Sequence, residues 1–189
     1  MKEKIRALFS NVWTIPNILT MLRMVLIPVF VVLYMNGQPK AALAVFIIAS
    51  LTDQLDGFLA RKLNQITDFG KLFDPLADKL MVITVMICHG ISGVIPWAAI
   101  IIVICKELLM VIGGAFILKN GVVVYSNMAG KTAMVFFVAA LILCFFHEEF
   151  LSLGWSVPLD IIFVWMAVGQ ALQALVIYAA GSLPKLKGK

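Results

Sequence analysis

Six apolar runs set the terms for this chain. They fall at roughly residues 17–36, 41–60, 75–94, 96–118, 131–147 and 158–180, each near the ~20 residues that a helix needs to cross a bilayer. Inside hydrocarbon a segment must satisfy its own backbone N–H and C=O groups, so runs of this length are expected to be helices. Of the 189 residues, 62% are hydrophobic and 13% charged, too few charges for a water-soluble surface. The expected fold class is all-α integral membrane, with six transmembrane helices plus a short N-terminal amphipathic surface helix. Connections between the runs are short and leave no room for a soluble domain. The expected organisation is an amphipathic juxtamembrane helix over residues 1–14, a six-helix membrane domain over 15–182 and a basic cytoplasmic tail over 183–189.

Orientation follows from the cations. Lys2, Lys4, Arg6, Arg23, Arg61, Lys62, Lys71, Lys79, Lys106, Lys119, Lys131, Lys185, Lys187 and Lys189 fall at or near one set of run ends, while Lys40 falls clearly at the other. His89, His147, Glu148 and Glu149 mark the opposite loops. The positive-inside rule then puts both termini and the 61–72 and 119–130 loops in the cytoplasm, as in a multi-pass protein of the cytoplasmic membrane. The formal net charge of +5 is sidedness first and attraction to anionic lipid headgroups second. Cations scattered over helix ends argue against a nucleic-acid partner, which would need them on one soluble face. In the first dozen residues cationic positions alternate with Ile5, Leu8 and Phe9 at helical spacing, as in a helix lying on a membrane surface. The apolar run that follows is too long for a signal-peptide core, and no small-residue cleavage site comes after it. Cys88, Cys105 and Cys144 lie in or at the ends of runs without CxxC spacing and read as packing residues.

One stretch breaks the apolar pattern. Asp53, Asp56, Asp74 and Asp78 are grouped at the edge of the bilayer, where uncompensated carboxylates are costly. Asp53 and Asp56, three apart near the end of the second run, share roughly one helix face. Asp74 and Asp78 are four apart at the start of the third, with Pro75 between them and expected in that helix's first turn. A loop of about a dozen residues joins the two helices as antiparallel neighbours, so both pairs reach one depth on the cytoplasmic side. Four carboxylates so close repel one another unless cations hold them. Hard divalent cations such as Mg²⁺ or Mn²⁺, which bridge carboxylates to phosphate oxygens, are one solution. Ion pairs with Arg23, Arg61, Lys79 or Lys106 are the structural alternative. No His or Cys lies nearby to suggest zinc. Gly57 and Ala60 would let a ligand approach the helix backbone, and Arg61 could grip a pyrophosphate with both arms of its guanidinium; helix packing and membrane flanking are the plainer roles for the three. An ion or metal transporter would place its acids near the midplane, often in repeated halves. Here they sit at one end, in one half of the chain.

Taken together, Asp53-Gln-Leu-Asp56-Gly57-Phe-Leu-Ala60-Arg61, then eight residues to Gly70, three to Asp74 and three to Asp78, spell D-x2-D-G-x2-A-R-x8-G-x3-D-x3-D with all eight specified positions matched. The stretch resembles the signature of the CDP-alcohol phosphotransferase family of membrane enzymes. The resemblance extends to Ile15-Pro16-Asn17-Ile-Leu-Thr20-Met-Leu-Arg23 and to the six-helix plan, and so covers most of the chain. It implies a transferase of phospholipid biosynthesis, in which the phospho-alcohol group of a CDP-alcohol passes to an acceptor hydroxyl and CMP leaves. It further implies that Asp53, Asp56 and Asp74 are principal ligands of two divalent cations, Mg²⁺ or Mn²⁺, and that Asp78 lies near the second cation as the catalytic base. Asp56, Gly57, Ala60, Arg61 and Gly70 would line the CDP site, and the enzyme would be a homodimer. A site at headgroup level suits CDP-diacylglycerol, whose acyl chains stay in the bilayer while its cytidine reaches water.

The acceptor is less sharply marked. Pro16, Asn17, Leu19, Thr20 and Arg23 resemble the opening of the phosphatidylglycerophosphate synthase branch, whose acceptor is glycerol 3-phosphate and whose products are phosphatidylglycerophosphate and CMP. They are also similar to the opening of cardiolipin synthases, whose acceptor is phosphatidylglycerol. Where the first branch carries A-R-E and a further Arg about seven residues on, this chain has Cys105-Lys106-Glu107 and then Gly113-Gly114. Asn17, Thr20, Arg23, Lys106 and Lys131 are the expected acceptor contacts. Glycerol 3-phosphate is the first expectation and phosphatidylglycerol the second.

Overall fold

The computed structural model describes residues 14–63, 67–119, 128–154 and 157–187, and every regular element among them is a helix. Of the surface helix expected over 1–14, all but Thr14 lies outside the described residues, as does most of the 119–130 loop. The chain divides into two compact units, Met1–Cys88 and His89–Lys189, inside the span expected as one domain.

In the first unit, α1 (Ile15–Met35) starts where Thr14 is still extended, with Pro16 in its first turn, where a missing N–H costs nothing. Its 21 residues reach about 32 Å, close to the hydrocarbon thickness of a bilayer. Gly37, at φ +72°, donates its N–H to the Tyr34 carbonyl and turns the chain within three residues into α2 (Pro39–Lys62). Only a glycine takes that backbone conformation without strain. Ala42, Phe46, Ala49 and Asp56 are all buried on α2 and recur at helical spacing, so a single stripe carries both the packing residues and the acid. The stripe faces α1, where the Phe46 and Phe30 rings meet edge-on at 6.5 Å between centroids. In lipid such contacts hold through dispersion and close fit rather than through release of water.

Pro75 does not open α3, contrary to the sequence expectation. The helix spans Asp68–Ile91, and α2 runs on to Lys62, so the dozen-residue loop contracts to residues 63–67. Thr67 is the cause. Its hydroxyl oxygen accepts the Gly70 N–H at 3.0 Å, which satisfies one of the free donors at the helix start. Pro75 then lies inside the helix, where it has no N–H to return to the Lys71 carbonyl.

The second unit holds α4 (Trp97–Lys119), α5 (Met128–Cys144), the short α6 (His147–Ser152) and α7 (Leu159–Lys187), with α7 packed against the other three. Small residues make that packing close. Ala133, Phe137, Ala140 and Cys144 form the buried stripe of α5, and Val164, Ala167, Ala171 and Ala174 that of α7, both at alternating four- and three-residue steps. Phe136 and Phe163 stack between the two helices at 5.5 Å. The fifth helix stops at Cys144 rather than running to 147, and α7 takes up residues 183–187 of the expected tail. Among the described residues three helices are long and apolar enough to cross a membrane, over Ile15–Met35, Trp97–Gly114 and Leu159–Gly181, and Thr132–Cys144 is a shorter apolar helix. The chain is thus an all-helical membrane protein, with three spans clear by length and composition.

Candidate active site

The first helix supplies the frame of the site. Asn17, Thr20 and Arg23 follow at three-residue steps on one face of α1 and are 1%, 0% and 1% exposed. In an otherwise apolar helix such a stripe is stable only if each polar group finds a partner. Each of the three side chains has a partner in a different part of the acid stretch, although Arg23 Nε has no hydrogen-bond partner among the described residues. The Arg23 guanidinium reaches α2, with Nη1 2.9 Å from Asp53 Oδ1 and Nη2 donating to Asp56 Oδ2 at 2.5 Å. The Thr20 hydroxyl donates to Asp74 of α3. Asn17 Oδ1 accepts from the hydroxyl of Thr67, the residue that caps α3, at 2.9 Å.

Thr67 therefore works twice, accepting the Gly70 amide at the helix start and donating to Asn17 across to α1. Gly70 is buried in this junction. A Cβ there would lie 2.9 Å from Asn17 Oδ1, 3.2 Å from Thr67 Oγ1 and 3.3 Å from Asp74 Oδ2, so the backbone approaches more closely than any side chain allows. The position expected to line a nucleotide is also one that sets the approach of α3 to α1.

The two α2 acids differ in access. The Asp56 side chain is 3% exposed and that of Asp53 24%. Asp53 Oδ2 and Asp56 Oδ1 make neither hydrogen bond nor ion pair among the described residues. Asp78 is partly buried on α3, one turn beyond Asp74. Gly57, Ala60 and Arg61 lie on the last turns of α2, and Lys131 in the first turn of α5, but their side chains fall outside those described. Lys106 belongs to the second unit, where its amine pairs with the carboxylate of Glu107.

The structure thus brings together Asn17, Thr20, Arg23, Asp53, Asp56, Gly70 and Asp74. Sequence reasoning missed Thr67, although Thr followed by Asp68 is a legible helix-start signal. The donors around the cluster are carboxylate oxygens, which in kind suit a hard divalent cation. Among the described residues no three acid, His or Cys side chains already converge as a ligand set; Arg23 takes one oxygen from each of two aspartates.

The comparisons agree with what the geometry suggests. Residues 13–177 match the family described as CDP-alcohol phosphatidyltransferase. A Bacillus subtilis (strain 168) protein named CDP-diacylglycerol--glycerol-3-phosphate 3-phosphatidyltransferase is 35% identical over 174 residues, covering 82% of this chain and 88% of its own length. A Cereibacter sphaeroides protein of the same name is 47% identical over 90 residues, 45% of this chain and 41% of its own. A Mycobacterium tuberculosis (strain H37Rv) protein, provisionally named a cardiolipin synthase, is 28% identical over 191 residues, 95% of this chain and 90% of its own. The match runs from before α1 into α7 and takes in the whole acid cluster with the α1 stripe that holds it, so the chain belongs to the CDP-alcohol phosphatidyltransferase family.

Proposed function

We propose that this protein transfers the phosphatidyl group of CDP-diacylglycerol to a hydroxyl of glycerol 3-phosphate, giving phosphatidylglycerophosphate and CMP. The observation that carries the reaction is the gathering of Asp53, Asp56 and Asp74, from two helices, on one polar face of a third. The acceptor rests on the name of the Bacillus subtilis relative, which aligns over most of both chains.

In this mechanism Asp53, Asp56, Asp74 and Asp78 would hold two divalent cations, Mg²⁺ or Mn²⁺, whose charge would offset that of the donor pyrophosphate. Gly57, Ala60 and Gly70 give the CDP room against backbone, and Arg61 holds the pyrophosphate charge. Asp78 takes the proton of the acceptor hydroxyl. The acceptor oxygen forms a bond to the phosphatidyl phosphorus, the pyrophosphate P–O bond breaks, and CMP leaves with that electron pair. Lys106 and Lys131 hold the acceptor phosphate, whereas Asn17, Thr20 and Arg23 are committed to the acid stretch. In the same reading α1 to α5 and α7 all cross the cytoplasmic membrane, the termini and acids face the cytoplasm, and two copies form a homodimer.

A second reading, a cardiolipin synthase using phosphatidylglycerol, is favoured by the Mycobacterium tuberculosis relative, which aligns over more of the chain at lower identity. Purified protein supplied with CDP-diacylglycerol, Mg²⁺ and each acceptor in turn separates the two. Phosphatidylglycerophosphate identified by mass spectrometry supports the first, cardiolipin the second, and no CMP release with any acceptor overturns both.

A further inference from the structure

We propose that Arg23 is a positioning residue of the transfer site: its guanidinium sets Asp53 and Asp56 so that one oxygen of each is left for a divalent cation. The proposal rests on the reading given above for the acid cluster.

Three observations lead to it. Arg23 is 1% exposed, so it is not a surface cation awaiting a soluble phosphate. Its two terminal nitrogens reach separate carboxylates three residues apart on α2, which the rigid, planar guanidinium fork can do and the single ammonium of a lysine cannot. The oxygens it leaves, Asp53 Oδ2 and Asp56 Oδ1, have no other partner among the described residues.

Charge supplies the physical reason. Three carboxylates in a lipid-embedded unit repel one another, and each is costly to desolvate. The Arg23 guanidinium lies against both carboxylates and holds them in place, and its hydrogen bond to Asp56 turns that carboxylate within the α2 stripe. Thr20 acts likewise on Asp74, and Asn17 on the capping Thr67. One face of α1 thereby sets the orientation of groups from α2, from the α2–α3 connection and from α3. Residues that orient ligands in this way typically alter metal affinity or activity about 10–100-fold when replaced.

The test uses full-length protein in detergent, with Arg23→Gln, which removes the charge, and Arg23→Lys, which keeps it but lacks the fork. Mn²⁺ binding is titrated directly by the EPR signal of the free ion, and kcat and the KM for glycerol 3-phosphate are measured alongside. Arg23→Gln is expected to weaken Mn²⁺ binding by about 10–100-fold and to lower kcat, with the acceptor KM little changed. Arg23→Lys is expected to restore thermal stability towards wild type but only part of the Mn²⁺ affinity, which a merely structural role would not produce. Should Arg23→Gln fail to fold, Arg23→Lys and Thr20→Val carry the same measurement. Unchanged or tighter Mn²⁺ binding in the folded variants overturns the proposal, and a rise confined to the acceptor KM would make Arg23 an acceptor contact instead. Wild-type protein that turns over yet binds no Mn²⁺ would overturn the two-cation reading and this proposal with it. Mn²⁺ binding that Arg23 does not influence overturns the proposal alone.

Discussion

Each of the two units buries an acid against a basic side chain, and the two pairs are built differently. In the first, Arg23 holds two aspartates from α2, and the polar contacts continue through Thr20 to Asp74. In the second, His147 Nδ1 lies 2.7 Å from Asp160 Oδ2, where α6 meets the first turn of α7. Asp160 is fully buried, and its Oδ1 has no hydrogen-bond partner among the described residues. Nearby, the buried His89 and Phe145 meet ring edge to ring face at 4.6 Å, and Cys144 is also buried. One acid matched to one base closes a contact. Two acids on one guanidinium, with a third alongside, leave carboxylate oxygens over. The first arrangement suits chemistry and the second suits holding a helix start in place.

The contrast breaks most decisively at the acids themselves. Asp53→Asn or Asp74→Asn is expected to reduce CMP release to background while helix content and melting temperature in detergent stay near wild type, because one anionic ligand is lost and no helix packing. Full turnover in either variant, or by wild type in excess EDTA, would remove the distinction between the two units. Asp78→Asn should lower kcat by about 10²–10⁴-fold, the usual contribution of a general base, with CDP-diacylglycerol binding largely kept. If donor affinity collapses with the rate, Asp78 is a ligand and not a base.

Smaller effects sharpen the comparison. Gly70→Ala puts a Cβ 2.9 Å from Asn17 Oδ1, and the resulting shift of α3 should cost up to about 10²-fold in kcat with the protein still folded; an unimpaired variant would mean that the junction has slack. His147→Ala leaves Asp160 buried without its hydrogen-bond partner and should cost about 1–3 kcal/mol of stability, read as a lower melting temperature, while the folded fraction keeps its kcat. A rate loss comparable to that of Asp53→Asn would instead draw the second pair into the active site. Thr67→Ala removes a helix cap, for a loss of about 1 kcal/mol by chemical unfolding, and only a modest fall in rate is expected.

Much of this was legible in the residues. The runs at 17–36 and 41–60 anticipate α1 and α2 within two or three residues, because twenty apolar side chains in succession leave few alternatives. The acid spacing by itself points to the family. What could not be read was which cation would serve the acids. Arg23 stands 30 residues before Asp53, and four cations were candidates by position alone. The three-residue rhythm of Asn17, Thr20 and Arg23 is visible in the sequence, but what it faces is settled only when α2 packs back on α1. Pro75 lies inside α3 although a proline at a helix start is the commoner arrangement, and Thr67 caps the helix from a stretch with no apolar periodicity to mark it. His147 and Asp160 come together only because α6 interrupts what looked like a single run to 147.

The tight turn at Gly37 bears on how the protein is made. With three residues between α1 and α2 the two helices form a hairpin, and Arg23 and its two aspartates all belong to it. A charged side chain within an inserting helix is costly at the translocon unless it is matched. A hairpin that enters as one piece carries these charges already matched, and α3 need only bring Asp74 to the Thr20 hydroxyl when it follows. The acids are thereby loaded into the membrane under escort, and newly made protein lacking Arg23 should be caught more often at insertion, before any question of catalysis arises.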